Sequence, residues 1–346
     1  MRSLTVLLTA VTFLSAFEYG LKPEKVNDKV YCFFGKPEVM DKKNNGNMVN
    51  SCFVDLGSQW LVIDPGPTYA YAKEAWKEMS TVKKMPKATV INTHVHDDHW
   101  LGNGFYISRG AEVLGAPAFK EEVNPSAVTR MQQRISKEAY ALTSPKLPTK
   151  IVDQNRTLHI DGNEIRLIKV AQKAHTSGDI LVYLPKMQTI FCGDLLFNER
   201  LPSLRDGDIN GWIAALEMIK SMQLPSVIGG HGKKVGSDAI DLTYRYLVEL
   251  RNEVREAIDD DVGIGPADPF LRTFAEGIHT AGPHHAVAAA QPHVAVSALG
   301  QLGLVPVPNG LDLIGLCLVE HQPTVFGDGL LIVFHQHVAL HFCQRL

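Results

Sequence analysis

The sequence predicts an α/β protein in which two β-sheets pack face to face between outer helices, a four-layer αββα sandwich. Two observations lead to that fold class. Strand patterns rich in Val, Ile, Phe and Tyr fall into two groups along the chain, and each group ends in helical patterns. The 346-residue chain is 45% hydrophobic and 21% charged, which is typical of a globular protein able to bury a large core.

The first half opens as a β-meander. Short strand patterns run from about residue 29 to 91 and are broken by turn sequences such as Asn44–Gly46 and Asp64–Gly66. A helix-compatible stretch, Tyr69–Ser80, then leads to the buried strand Ala88–Thr93. Because functional side chains often lie in the loop that follows a strand, we expect a site directly after this one.

The second half repeats the change from strands to helices. A helical segment is expected between the two halves, over Pro117–Ala141. The elements expected after it are a strand pair over Thr157–Val170, a hairpin of Ile180–Leu184 and Thr189–Asp194, a helix over Gly207–Met222, a strand at Ser226–Gly230, and an amphipathic helix over Ser237–Ile258.

Charge and cysteine usage exclude several protein classes. The 34 basic and 37 acidic residues give a net charge of −3 without a long Lys/Arg run, so nucleic acid is not an expected partner. Five Cys without a CxxC pair do not fit a zinc finger or a disulfide scaffold. Cys32 and Cys52 fall on two predicted strands that are expected to be neighbours, and the sequence is consistent with either a disulfide between them or two buried thiols.

The amino terminus resembles a secretory signal. Met1–Ala16 has Arg2 ahead of an apolar run and ends in small residues, whereas the alternative is a buried first helix or strand. No other window reaches the roughly 18 uncharged apolar residues of an integral membrane span. We therefore expect a soluble protein that is periplasmic or secreted.

The composition changes after about residue 260. No Lys follows Lys234, and residues 268–346 hold seven charged residues in 79 together with eight of the 14 His. The sequence is therefore divided into a signal (1–16), a main domain (17–260) and an atypical tail (261–346). The tail is either a second subdomain or a segment foreign to the fold, such as a shifted reading frame or a fusion, and the second interpretation is preferred.

A cluster of potential metal ligands follows the strand Ala88–Thr93. The sequence THVHDDH places His94, His96, Asp98 and His99 within six residues. Imidazole and carboxylate are the usual ligands of catalytic zinc, and alternate side chains of one loop can converge on one ion. Three more candidates lie near predicted strand ends: His175, Asp194 and His231.

These motifs make the sequence similar to the metallo-β-lactamase-fold hydrolases. Five pieces occur in family order: DPG at 64–66, HVHDDH at 94–99, AHTSGD at 174–179, GDLLF at 193–197 and GGHG at 229–232. The resemblance implies a first metal site of His94, His96 and His175, a second site of Asp98, His99 and His231, and Asp194 as a bridge between them. It makes Asp64 a residue that orients a ligand histidine, although a plain turn role is nearly as well supported.

The carboxylate at Asp194 resembles the glyoxalase II-like branch and its periplasmic, quinoprotein-relay zinc metallohydrolase relatives. Cys192 would share a face with Asp194 if the strand continued, but it is interpreted as a buried thiol. The Lys-free tail lacks a counterpart of the glutathione-binding domain of glyoxalase II, so glutathione thioesters are not supported. Asn198 and Arg200 follow GDLLF and either reach the mouth of the site or serve as ordinary polar loop residues; the second interpretation is preferred. Trp100 is expected to pack in the core and not to contact substrate.

The resemblance implies a dinuclear zinc hydrolase, with iron or manganese as alternative metals. A hydroxide shared by the ions would attack an ester, thioester, lactone or amide-like bond of a small-molecule substrate, with Asp98 as the catalytic proton carrier. The alternatives are β-lactamase activity, an iron-dependent persulfide dioxygenase-like reaction, and an exported metal-binding protein without catalysis. The sequence does not indicate an oligomeric state.

Overall fold

A computed structural model describes residues 17–259 of the chain. The segment interpreted as a signal (1–16) and the tail (261–346) lie outside the described residues. Among the helices of the described part, none is both long and apolar enough to cross a membrane.

The amino-terminal sheet has seven strands within residues 17–259, arranged in chain order. They are β1 (Glu24–Lys25), β2 (Val30–Phe33), β3 (Ser51–Asp55), β4 (Trp60–Ile63), β5 (Ala88–Ile91), β6 (Glu112–Gly115) and β7 (Lys150–Ile151). Neighbours from β1 to β4 are antiparallel, and those from β4 to β7 are parallel. The carboxyl ends of β4 and β5 therefore meet at one edge of the sheet.

The second sheet has five strands in the same described range, in the order β12-β11-β10-β9-β8. They are β8 (Arg156–Ile160), β9 (Asn163–Lys169), β10 (Ile180–Leu184), β11 (Thr189–Phe191) and β12 (Ser226–Ile228). All neighbours are antiparallel except β11 and β12, which run parallel. This sheet contains the strand pair and the hairpin that the sequence predicts.

The helices lie outside the sheets or in the loops at one end of them. They are α1 (Tyr69–Val82), α2 (Asp97–Trp100), α3 (Asn103–Ser108), α4 (Ala118–Glu121), α5 (Arg130–Arg134), α6 (Lys137–Tyr140), α7 (Ile209–Ser221) and α8 (Ile240–Asp259). The helical segment expected over Pro117–Ala141 is divided into α4, α5 and α6. Thr129 and Ser136 cap new helices there by accepting from the amides of Gln132 and Ala139. The last predicted helix starts later, because Ser237–Ala239 forms a 3-10 turn before α8.

The two sheets share a buried core. Alternate residues of each strand face the opposite sheet, as Cys52 and Val54 do on β3, and meet Leu167 and Val182 of the second sheet. Cys32 and Cys52, paired across β2 and β3, form a disulfide in this core.

The outer faces of both sheets are covered by helices. Val62 and Val90 pack under α1 against Tyr71 and Met79. On the opposite side, Trp212, Ile213 and Leu216 of α7 and Ile240 and Leu247 of α8 cover the second sheet. Two helical layers with two sheets between them confirm the predicted αββα sandwich.

Candidate metal centre

All seven predicted ligand residues lie at one end of the sandwich. The loop after β5 carries the His94–His99 cluster, and the turns after the parallel strands β11 and β12 carry Asp194 and His231. His175 lies in the loop before β10, which is antiparallel to β11 and so begins where β11 ends. Strand direction therefore brings distant parts of the chain to one edge.

The first group consists of His94, His96, His175 and Asp194, which offer ligand atoms within 4.8 Å of one another. His175 Nε2 lies 2.9 Å from His96 Nδ1 and 3.4 Å from Asp194 Oδ2. His94 Nε2 lies 3.7 Å from the same carboxylate oxygen. His96 is partly exposed and the other three side chains are buried, so the group opens to solvent on the His96 side.

The second group consists of Asp98, His99 and His231, all of them buried. Asp98 Oδ2 lies 3.7 Å from Nε2 of both histidines. Asp194 is also close to this group, because its Oδ1 lies 3.1 Å from His99 Nε2 and its Oδ2 lies 3.2 Å from His231 Nε2. Asp194 therefore stands between the two groups.

Asp64 determines which ring nitrogen is free in both groups. Its carboxylate accepts hydrogen bonds from the Thr93 amide, the Thr93 hydroxyl and His99 Nδ1, at 2.8, 2.7 and 2.9 Å. Since the Thr93 hydroxyl donates to Asp64, it accepts from His94 Nδ1 at 3.0 Å. Nε2 of His94 and of His99 is thus left as an acceptor aimed into the centre, and Asp64 contributes more than a turn.

Acceptors elsewhere in the chain orient two further histidines. The Met48 carbonyl accepts from His231 Nδ1 at 2.6 Å, which leaves Nε2 free. Asp206 accepts from His96 Nε2 at 2.9 Å, which leaves Nδ1 unprotonated and facing His175 Nε2 at 2.9 Å. Sequence analysis missed Thr93, Met48 and Asp206, because the contacts of the last two join segments far apart in the chain and no local motif marks them.

The free atoms of the centre fit a divalent metal. His94 Nε2, His99 Nε2 and Asp194 Oδ1 are buried and make no hydrogen bond of acceptable geometry within the described structure, although the last two atoms lie 3.1 Å apart. Buried polar atoms without partners are costly unless another species binds them. Imidazole nitrogens and carboxylate oxygens that converge in this way are the donor set of a zinc or iron centre.

The electrostatics of the centre keep its carboxylates charged. Burial raises the pKa of Asp194, but His231, His99 and His94 around it hold that pKa well below its usual range. Burial also lowers the pKa of His96 to about 4 and that of His94 well below its usual value. For His99 burial acts in the same direction, yet Asp194, Asp64 and Asp98 raise its pKa above the ordinary one. The anionic Asp194 and the neutral imidazoles of His94 and His96 can bind a cation without first losing protons, whereas His99 would lose one proton on binding a cation.

An arginine from α5 contacts the second group. Arg130 donates to Asp97 Oδ1 from Nε at 2.9 Å and from a terminal nitrogen at 2.6 Å. The same terminal nitrogen donates to Asp98 Oδ1 at 2.7 Å. The sequence predicted no role for Arg130 or Asp97. The two residues are 33 positions apart, and no motif in the α5 sequence indicates that they are in contact.

Two residues next to predicted ligands, Cys192 and Trp100, are buried and pack in the core. The strand ends at Phe191, and the 3-10 turn Gly193–Leu195 follows, so the expectation that Cys192 and Asp194 would share a face is wrong. Cys192 is a buried free thiol in the core beneath α7, as interpreted. Trp100 packs on Phe119, as expected.

The two residues after GDLLF differ in burial. Asn198 is buried, and its backbone N–H donates to the His231 carbonyl. Arg200 has its guanidinium 6.0 Å from the ring centroid of Phe197, and Phe197 stacks on the imidazole of His231. Arg200 therefore lies beside the centre, close enough to interact electrostatically with Asp98 and Asp194.

Gly230 provides space for the central carboxylate. A Cβ atom there would lie 2.1 Å from Asp194 Oδ1. Gly230→Ala is therefore expected to displace Asp194 and to lower the zinc bound per chain, measured by elemental analysis after dialysis. Gly104→Ala is the matched control, because its added Cβ would meet neighbours at an ordinary 3.6 Å. Equal zinc content in both variants would contradict the prediction.

An αββα sandwich with two adjoining groups of His and Asp donors at one end of its sheets defines a metal-binding class of α/β protein. A family model described as the metallo-beta-lactamase superfamily matches residues 44–231, which is more than half of the chain. The chain therefore belongs to the metallo-β-lactamase superfamily, most of whose members are metal-dependent hydrolases.

Solved structures of this fold are similar to the chain at low sequence identity. A metallo-beta-lactamase from Pontibacter korlensis has a TM-score of 0.52 and 20% identity, over 66% of this chain and 99% of that one. A crystal structure of VMB-1 has a TM-score of 0.52 and 18% identity, over 67% of this chain and 98% of that one. At these identities the likeness concerns the fold alone.

Proposed function

We propose that this protein is a dinuclear zinc hydrolase that cleaves an ester, thioester, lactone or amide-like bond of a small molecule. One observation carries the proposal: the carboxylate of Asp194 lies between two complete donor groups, within 3.7 Å of one ring nitrogen of His94, His175, His99 and His231. The first ion would be held by His94, His96 and His175, the second by Asp98, His99 and His231, with Asp194 shared between them.

The residues of the centre divide the work. When bound, two zinc ions lower the pKa of water toward neutrality and polarise a substrate carbonyl. Asp64, Met48 and Asp206 hold the ligand histidines so that one nitrogen of each faces the centre. Asp98 Oδ2 faces His99 and His231, so Asp98 would hold the second ion through this oxygen, and we also assign to Asp98 the transfer of a proton from the attacking water to the leaving group.

Two other reactions are outcomes of the same test. β-Lactams are amide-like substrates, and the similar solved structures include a protein named as a metallo-beta-lactamase. An iron-dependent persulfide dioxygenase-like reaction needs one metal, whereas the complete second group of Asp98, His99 and His231 supports two.

The test combines metal analysis with a substrate panel. We expect about two zinc ions per chain, hydrolysis of a thioester, lactone or aryl ester by the zinc-loaded protein, loss of that activity on chelation, and recovery on adding zinc. His96→Ala should lose activity, and His159→Ala, at an exposed histidine of β8, should keep it. β-Lactam hydrolysis alone would identify a β-lactamase. One iron per chain with oxygen consumption on a persulfide, or no turnover of any substrate, would overturn the proposal.

A further inference from the structure

The loop region between β6 and β7 contacts the metal centre through one side chain. Residues 118–140, which hold α4, α5 and α6, bring Arg130 to two adjacent carboxylates at the start of α2. Asp97 accepts two bonds from the guanidinium through Oδ1, and its Oδ2 accepts from the Met131 amide at 3.0 Å. Arg130 therefore is fixed by Asp97 while it also donates to Asp98.

The contact separates the two oxygens of Asp98. Oδ1 accepts from Arg130 at 2.7 Å, whereas Oδ2 points to the space between His99 and His231, 3.7 Å from Nε2 of each. The terminal torsion of an Asp side chain is broad and roughly two-fold, so packing alone defines the carboxylate plane weakly. A charge-assisted hydrogen bond to one oxygen fixes that plane and presents the other oxygen to an ion.

Two physical effects of Arg130 on a nearby cation have opposite signs. A guanidinium repels a divalent ion across a low-dielectric site, which would weaken metal binding. Asp97 opposes this effect, because its carboxylate is bonded to the same guanidinium and neutralises it, so Asp98 keeps its own charge for the ion. The orienting effect should therefore exceed the repulsion.

We propose that Arg130 is a positioning residue that aims Asp98 at the second metal ion, so that residues 118–140 control occupancy of the second site. The inference rests on the proposed two-metal centre. Residues that orient metal ligands typically change metal affinity by about 10- to 100-fold when they are removed.

The test is a zinc titration of the metal-free full-length protein with Arg130→Met, which keeps side-chain length but removes the charge and the donors. We expect the second zinc to bind about 10- to 100-fold more weakly, while the first stays within about threefold of the wild type. The affinity of Arg130→Lys for the second zinc should lie between those of the wild type and Arg130→Met, because an ammonium restores the charge but cannot donate as a planar fork. Arg134→Met, on the same helix and exposed, is the matched control.

A second readout follows the ligands directly. In cobalt-loaded protein, the absorption bands that appear with the second equivalent should shift in Arg130→Met and shift less in Arg130→Lys. Circular dichroism of each metal-free variant reports whether the fold is kept, and the Lys variant provides the comparison if the Met variant does not fold.

The outcomes separate the inference from the function that it rests on. Equal weakening of both zinc ions would show a general structural role, and an unchanged or tighter second zinc would show that orientation does not dominate. Either result would overturn the inference and leave the two-metal centre intact. A wild-type protein that binds only one zinc would overturn both.

Discussion

Asp194→Ala is expected to remove most of the bound zinc and to lower kcat/KM for the substrate identified by the panel by more than about 100-fold. The Asp194 carboxylate lies within 3.7 Å of donor atoms in both groups, so its loss should affect both ions of the proposed centre. Removal of a residue that only orients a metal ligand lowers metal affinity or activity about 10- to 100-fold. Removal of a side chain that binds both ions directly should lower them further. Elemental analysis and steady-state kinetics on the same preparations measure both effects.

Two further variants separate the effect of the charge of Asp194 from that of its side-chain size and from the effect of losing a surface carboxylate. Asp194→Asn keeps the size of the side chain and one carbonyl oxygen but loses the negative charge, so it should retain more zinc than Asp194→Ala while losing most of the rate. Asp238→Ala removes an exposed carboxylate of the 3-10 turn before α8 and should change neither quantity. Unchanged zinc stoichiometry in Asp194→Ala would show that this carboxylate does not bridge.

Asp64→Asn is expected to weaken the folded state and both metal sites together. The carboxylate accepts three hydrogen bonds in a buried position, and an amide replaces one acceptor oxygen with a donor. Loss of one such buried partner costs about 1–3 kcal/mol of unfolding free energy. Since the His99 and Thr93 bonds that fix ring nitrogens depend on this carboxylate, zinc affinity should fall by about 10- to 100-fold.

The control for this variant is the same substitution in a similar backbone conformation. Asp64 has a φ of 52° and Asp161 a φ of 49°, in the left-handed region that Asn also tolerates. Asp161 lies in the exposed β8–β9 turn, where its carboxylate accepts from the amide and the hydroxyl of Ser58. Urea unfolding and zinc titration should therefore leave Asp161→Asn near the wild type. A similar small effect at Asp64 would show that His99 is oriented without it.

The sequence predicted the candidate ligands because their pattern is local. His94, His96, Asp98 and His99 lie within six residues after one strand, and Asp194 and His231 each lie at the end of a predicted strand. Strand alternation and turn residues also predicted most strands, since hydrophobic periodicity depends only on neighbouring residues. The same reasoning failed for Cys192, because the strand ends one residue before it.

By itself the sequence determined the fold class and the donor residues, since both follow from short-range patterns. Only the tertiary structure decided which atoms face the centre. Met48 and Asp206 meet histidines 183 and 110 residues away, and Arg130 meets Asp98 across 32 residues. Such contacts depend on where the sheets and loops pack, and hydrogen bonds between distant segments leave no periodic signal along the chain.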